Sequence, residues 1–180
     1  MKKVLLSAVA VSMLSASTFA VAQSAPQASG GGGIVRFTGT IVAGACGIDA
    51  GSVDQTVALG SVTSSKFKKV GDQSAPQKFD IKLTDCDTSV TKKAYFTFSG
   101  TSDSVNQDLF AVQGGATNVA VRLQSASGEP VKNGAEQKAP TNLSNGHSNT
   151  VSFAARYEAT AASVTPGTAD TVANFTIRYE

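Results

Sequence analysis

The chain has 180 residues, 41% of them hydrophobic and 16% charged, and its formal net charge is +2. This length allows one domain with a sizeable core, and the near-neutral charge without a basic stripe excludes a typical nucleic-acid-binding protein. With one histidine and two cysteines, the chain also falls short of the ligand set of a closed structural zinc site.

The first 22 residues have the pattern of a secretory signal peptide. Lys2 and Lys3 form the charged start, residues 4–14 form the apolar centre, and Ala20-Val21-Ala22 fits a cleavage site, with cleavage after Ala20 as an alternative. The apolar run is too short for a transmembrane helix, so we expect a mature chain that does not span a membrane. Removal of the signal peptide leaves thirteen basic and thirteen acidic side chains in the mature chain.

Residues 23–43 are predicted to be an N-terminal extension that ends in a strand. Residues 23–33 are small, polar and rich in glycine, and we expect them to be disordered unless a partner captures them. The residues that follow have period 2, with Val35, Phe37, Gly39 and Ile41 on one face. This is either an ordinary first strand or, as both chain ends together favour, a strand that completes the sheet of another copy.

The remaining residues, 44–180, are predicted to form one all-β domain. Cys46 and Cys86 are an even pair in an exported chain, which indicates one disulfide. Short alternating segments separated by turn signals predict strands over residues 77–84, 93–99, 118–125, 149–157 and 171–179. No long window has helical periodicity, so an antiparallel sandwich is the expected architecture.

The last predicted strand places Ala173, Phe175, Ile177 and Tyr179 on one face and Thr176 and Arg178 on the other. We expect no tail to cover the edge of this strand, and an exposed apolar edge is a liability unless another strand pairs with it. We therefore expect a pairing partner for this strand.

Catalysis and metal binding find little support in the sequence. His147 lies in a turn-like stretch, and no motif of a serine hydrolase accompanies it. Asp85 and Asp87 could share a face as an acid–base pair, but carboxylates at a strand end are usually just solvated. The lysine cluster at Lys66, Lys68 and Lys69 is best interpreted as a solvated loop. We expect no enzyme activity and no cofactor.

The chain resembles the major pilin of type 1 fimbriae, which Gram-negative bacteria assemble by the chaperone–usher pathway. The resemblance rests on Gly167 as the fourteenth residue from the end, the penultimate Tyr179, the block Phe37–Val42 and the two cysteines. Further similar stretches are residues 49–57, 83–88 and 153–157. The resemblance covers essentially the whole mature chain.

The resemblance implies an incomplete immunoglobulin-like antiparallel sandwich that lacks its last strand and is completed by a donor strand from another subunit. A periplasmic chaperone would first lend a strand, and the N-terminal extension of the next subunit would replace it. The extension would donate Val35, Phe37, Gly39 and Ile41, with Gly39 facing a shallow pocket. The acceptor groove and chaperone-pairing strand would comprise Gly167, Ala173, Phe175, Ile177 and Tyr179.

The implied function is a structural subunit of an adhesive surface filament, exported through the periplasm and an outer-membrane usher. Two alternatives stay open. A minor adaptor subunit of a fimbria has the same sequence features. A freestanding secreted ligand-binding β-sandwich would differ in purifying as a stable monomer without a chaperone.

Overall fold

The structure is a computed structural model that describes residues 33–41 and 43–180. The predicted signal peptide, residues 23–32 of the predicted extension and Val42 lie outside the described residues. Residues 40–180 belong to one compact unit, and residues 33–39 belong to a separate unit. The following description of sheets and core concerns residues 40–180.

The larger sheet is antiparallel and is built around two long strands that pair over most of their length. Its strands are β1 (Gly47–Ile48), β2 (Gln77–Cys86), β4 (Phe110–Ala111), β5 (Val119–Ser125), β6 (Pro130–Val131) and β8 (Gly146–Ala159). The order is β1-β2-β8-β5-β4, and β6 pairs with β5 beside β4. Phe79 lies opposite Phe153 and Ile81 opposite Val151, so apolar side chains of β2 and β8 share one face.

The smaller sheet is also antiparallel and holds the last strand of the chain. It consists of β3 (Lys93–Gly100), β7 (Thr141–Asn142) and β9 (Ala173–Tyr179), in the order β7-β3-β9. β3 and β9 pair in unbroken register from Ala94 opposite Tyr179 to Gly100 opposite Ala173. β9 therefore forms one edge of this sheet.

The core lies between the inner faces of the two sheets. Ile81 and Leu83 of β2, Phe153 of β8, and Phe96 and Phe98 of β3 are all buried in one cluster. The sequence predictions for these strands are confirmed, because residues two apart fall on the same face and one face is buried. The architecture is the antiparallel all-β sandwich that the sequence predicts.

Some elements differ from the sequence prediction. β1, β4, β6 and β7 have two residues each, which is too short for a periodic pattern. A one-turn helix α1 (Ala50–Val53) begins after Asp49, whose carboxylate accepts a hydrogen bond from the Gly51 N–H at 3.1 Å. A 3₁₀ turn spans Ser64–Lys66.

The predicted strand in residues 34–41 belongs to no sheet among the described residues. An ordinary first strand would pair within its own domain. The described part of the chain shows no such pairing.

Candidate functional site

A groove with a volume of about 710 Å³ opens into the core. Residues 169–175 form its first wall, and residues 52–60 form its second wall. The floor is formed by core-facing side chains of both sheets, namely Phe79, Ile81, Phe98, Val121, Leu123, Ala155 and Tyr157. The groove thus gives access to residues that a complete sandwich would cover.

The first wall continues into β9, which is hydrogen-bonded on one edge only. β9 pairs with β3, and no other described strand pairs with its outer edge. Phe175, Ile177 and Tyr179 are half-buried, whereas Thr176 and Arg178 are exposed. The register predicted for this strand is therefore confirmed, and its free edge presents unpaired N–H and C=O groups beside an apolar floor.

Two of the predicted acceptor residues on β9 line the groove, Ala173 and Phe175. The ring of Phe175 lies 6.1 Å from that of Phe98 and 6.5 Å from that of Phe96, measured between centroids. Aromatic rings at such centroid distances attract each other beyond the area that they bury. The wall is therefore packed on the aromatic core of the domain.

Tyr179 lies farther along β9 than the residues that line the groove. Its ring lies against Gly44, and its hydroxyl is 3.5 Å from the carbonyl oxygen of Cys46. Burial raises the pKa of the Tyr179 phenol. Tyr179 and Ile177 both pack against the core cluster, so they extend the apolar face of β9 beyond the groove.

Arg178 lies on the outward face of the same strand. Its guanidinium donates two hydrogen bonds to Glu136, from Nε to Oε2 at 2.7 Å and from Nη2 to Oε1 at 2.9 Å. It also lies 4.3 Å from the centre of the Tyr95 ring. Hydrogen bonding from Arg178 holds the pKa of the Glu136 carboxyl below its ordinary value. All these contacts face away from the groove side of β9.

The second wall was not anticipated as such by the sequence reasoning. Residues 55–62 form no backbone–backbone hydrogen bond to any described residue. Val57 and Leu59 are half-buried with exposed neighbours between and around them, which is the period-2 signal that could have identified the segment. Val53 and Val172, on opposite walls, are both largely exposed.

The predicted donor residues Val35, Phe37 and Ile41 are at least 72% exposed. Gly39 has room for a side chain, because a Cβ atom there would meet nothing within 4 Å. Residues 34–41 have the alternating apolar pattern that is typical of a strand with one buried face. In this segment, however, the apolar side chains are exposed. Its donor role stays a prediction.

Gly167 lies before β9 in a loop rather than on the strand itself. A Cβ atom at this position would lie 2.2 Å from the carbonyl carbon of Gly115. The loop therefore approaches a second loop so closely that only glycine fits. Pairing of Gly167 with a chaperone stays a prediction.

Cys46 and Cys86 form the predicted disulfide. Both residues are buried, and the bond joins the chain just before β1 to the last residue of β2. It ties the beginning of residues 40–180 to a central pair of strands, because β2 also pairs with β8.

The remaining candidates show no catalytic arrangement among the described residues. Asp87 accepts hydrogen bonds from the hydroxyl and N–H of Ser89, which lower the pKa of its carboxyl. Its carboxylate therefore caps the turn at Ser89. The side chain of His147 lies outside the description. Lys66, Lys68 and Lys69 are exposed, and no described cluster of three potential ligands could hold a metal ion.

The fold and the groove define an incomplete antiparallel β-sandwich of the class found in pilus subunits. A chain of a solved chaperone–usher pilus is similar with a TM-score of 0.74 at 30% identity, covering 87% of this chain and 100% of that chain. The crystal structure of the P pilus rod subunit PapA is similar with a TM-score of 0.64 at 27% identity, covering 76% and 100%.

Sequence comparison gives the same result. The family model described as "Fimbrial protein" matches residues 35–180. The type-1 fimbrial protein, A chain, of Escherichia coli is 43% identical over 186 residues and 100% of both chains. The fimbrial subunit type 1 of Klebsiella pneumoniae is 44% identical over 155 residues, 83% of this chain and 84% of its own. The chain belongs to the fimbrial protein family, and its class is that of structural subunits of chaperone–usher pili. The resemblance noted from the sequence is confirmed.

No helix in the described part of the chain is both long enough and apolar enough to cross a membrane.

Proposed function

We propose that this chain is a structural subunit of a type 1-like fimbria and that it polymerises by donor-strand exchange. In this proposal, the segment Ile34–Ile41 of one copy enters the groove of the next copy. The observation that carries the proposal is the groove itself, which has an apolar floor and two walls without a common strand partner. A strand placed between the walls would supply that partner.

Main-chain pairing gives the first contribution. The outer edge of β9 and the backbone of residues 55–62 both have hydrogen-bonding groups that no described strand satisfies. One inserted strand could pair with either wall or with both. Every strand pair described in this protein is antiparallel, so we propose antiparallel pairing with β9. This orientation places Ile41 near Ala173 and Val35 near Tyr179.

Side-chain burial gives the second contribution. Val35, Phe37 and Ile41 are exposed in their own subunit. Phe37 and Ile41 would meet Phe79, Phe98 and the other floor residues, and Val35 would meet the apolar face of β9 at Ile177 and Tyr179. Burying each of them would contribute on the order of 1.5–3 kcal/mol. Gly39 would lie between Phe37 and Ile41 on the same face. There it would face the shallow place in the groove that the family resemblance implies.

The proposed contact is heterologous, because the donor segment and the groove are different surfaces. Repeated head to tail without closure, such a contact generates a filament. Export would use the predicted signal peptide at residues 1–22, followed by the extension at 23–43 and the pilin domain at 44–180. A periplasmic chaperone and an outer-membrane usher would handle the subunit before assembly. The role is non-catalytic and needs no cofactor.

The test is a self-complemented subunit. A copy of Ile34–Val42 is appended after Glu180 through a flexible linker, which makes the pairing intramolecular. We expect a monomer whose thermal midpoint exceeds that of the parent by roughly 10 °C, since each kcal/mol raises the midpoint of a domain of this size by a few degrees.

The matched controls change one residue of the appended copy. Phe37→Asp in the copy should abolish the gain, because this side chain would enter the apolar groove. Thr38→Asp in the copy should retain it, because Thr38 lies on the opposite face. Equal midpoints for the two variants would contradict the proposal.

A further inference from the structure

Two loops meet through their backbones beside the groove, and we call them the clasp. The loops are residues 113–117 and residues 165–170. The Gln113 N–H donates to the Asp170 carbonyl at 2.6 Å, and the Asp170 N–H donates back to the Gln113 carbonyl at 3.0 Å. The Ala116 N–H donates to the Thr168 carbonyl at 3.0 Å. These bonds make a short two-sided ladder that lies outside the named strands.

Gly167 lies where the two loops are closest. A Cβ atom at Gly167 would lie 2.2 Å from the Gly115 carbonyl carbon and 2.3 Å from the Ala116 nitrogen. Both are backbone atoms, so no side-chain rotation relieves the clash. A Cβ atom at Gly115, on the opposite loop, would lie 3.6 Å from its nearest neighbour, which is an ordinary contact. The neighbouring Gly114 does require glycine, because its φ is +127° and a Cβ atom there would lie 2.5 Å from the Thr168 carbonyl oxygen. Both loops therefore contain a position that only glycine fits, and Gly115 is the glycine of the clasp that has room for a methyl group.

The clasp leads directly into the first wall of the groove. Residues 169–175 line the groove. The first of them, Ala169, lies two residues after Gly167. The Tyr157 hydroxyl, in the groove floor, donates to the Ala169 carbonyl at 3.0 Å. The Thr171 hydroxyl donates to the Ala111 carbonyl at 2.7 Å. The position of this wall thus depends on how closely the clasp packs.

We propose that Gly167 is a positioning residue for strand acceptance. It is not among the residues that line the groove; instead it sets the position of the wall formed by residues 169–173. This inference rests on the proposed function and on antiparallel pairing, which together place Ile41 of the incoming segment at that wall. A larger residue at 167 separates the two loops, displaces the wall and weakens the site for Ile41. The far end of the donor segment, at Val35, is not affected.

The test uses the full mature chain and a fluorescent synthetic peptide of residues 33–43, with binding followed by anisotropy. Gly167→Ala should weaken binding by about tenfold or more, and the matched control Gly115→Ala should bind within about twofold of the parent. Peptides carrying Ile41→Ala or Val35→Ala locate the defect. The peptide with Ile41→Ala should bind the parent subunit and the Gly115→Ala subunit more weakly than the unchanged peptide does. On the Gly167→Ala subunit the two peptides should bind almost equally. The peptide with Val35→Ala should lose the same factor of affinity on all three subunits.

A milder variant covers the case in which Gly167→Ala does not fold. Thr171→Val keeps the shape of the side chain and removes the hydrogen bond to Ala111. Thr171→Val should weaken binding by about threefold, and only for peptides that retain Ile41. Thr171→Ser keeps the hydroxyl group and should bind like the parent.

The outcomes separate the inference from the proposed function. Normal binding by Gly167→Ala, or an equal loss for every peptide position, overturns the positioning role while leaving strand donation intact. If Gly167→Ala does not fold, equal binding by Thr171→Val and Thr171→Ser overturns it. If the parent subunit does not bind the peptide, the proposed function fails and the inference fails with it.

Discussion

Phe175 lies directly opposite Phe98 in the register of β9 and β3, and their ring centroids are 6.1 Å apart. Phe98 belongs to the floor of the groove and Phe175 to its wall. The wall and the core are therefore one packed unit. A change at Phe175 should affect both the stability of the domain and the acceptance of a strand.

We expect Phe175→Ala to lower the free energy of unfolding by roughly 2 kcal/mol, less than for a fully buried phenylalanine because the ring is half-buried. Thr176→Ala, at the next and outward position, should change it by less than about 0.5 kcal/mol. Urea denaturation of the self-complemented subunit measures both values. Equal losses for the two variants would contradict the assigned faces.

The end of β9 gives a second test of these faces. Tyr179→Ser should reduce co-purification with the chaperone and the number of filaments, because the ring extends the apolar face of the strand. Arg178→Ser should do little, since solvent screens exposed ion pairs such as that with Glu136 and leaves them a small net contribution to stability. Failure of the Arg178 variant with normal assembly of the Tyr179 variant would mean that the faces are reversed.

The disulfide should contribute substantially to a domain that lacks a strand. It closes a loop with a sequence separation of 40 residues, for which the chain-entropy relation gives about 4 kcal/mol. Cys46→Ser with Cys86→Ser should lower periplasmic yield and the urea midpoint. Reductant should lower the midpoint of the parent and leave the double variant unchanged. A double variant as stable as the oxidised parent would contradict this expectation.

The outer face of the larger sheet carries an acid-sensitive ion pair. Glu158 is 5% exposed and accepts hydrogen bonds from Arg122 and Gln73. Burial raises the pKa of Glu158, but these hydrogen bonds outweigh burial and hold the pKa below the ordinary value of 4.5. Its contribution to stability is therefore complete above about pH 4.5 and is lost as the pH falls through the lowered pKa.

Glu158→Gln should cost roughly 1–3 kcal/mol at pH 7, because Arg122 loses a charged partner. The difference from the parent should shrink as the pH falls from 7 through the lowered pKa of Glu158, where the parent also loses the charge. Urea midpoints across this pH range measure the difference, and the exposed Glu129→Gln variant is the control. A difference that is independent of pH would show that the charge of Glu158 is not the cause.

The long strands could be predicted from the sequence for a simple physical reason. Each buries one face, so Ile81 and Leu83 of β2 and Phe175 and Ile177 of β9 recur at every second position. On β5 and β8 the pattern is blurred, because Ala120 and Ala154 on the other face are buried as well. Small residues of this kind carry little periodic signal.

The rest of the site depends on contacts between distant parts of the chain. Gly167 is required because another loop lies against it, and no local pattern reveals which loop that is. Residues 52–60 become a groove wall only because the two sheets leave the core open beside them. The sequence was enough to predict the disulfide of an exported chain, the two faces of the strands and the donor-like segment. The clasp and the second wall could be recognised only in the structure.

The most direct test of strand donation is electron microscopy of cells that produce a subunit lacking Gln23–Val42. The parent should form filaments, and the truncated subunit should form none while still co-purifying with the chaperone, because its groove is intact but its donor segment is missing. Filaments built from the truncated subunit alone would contradict donor-strand exchange.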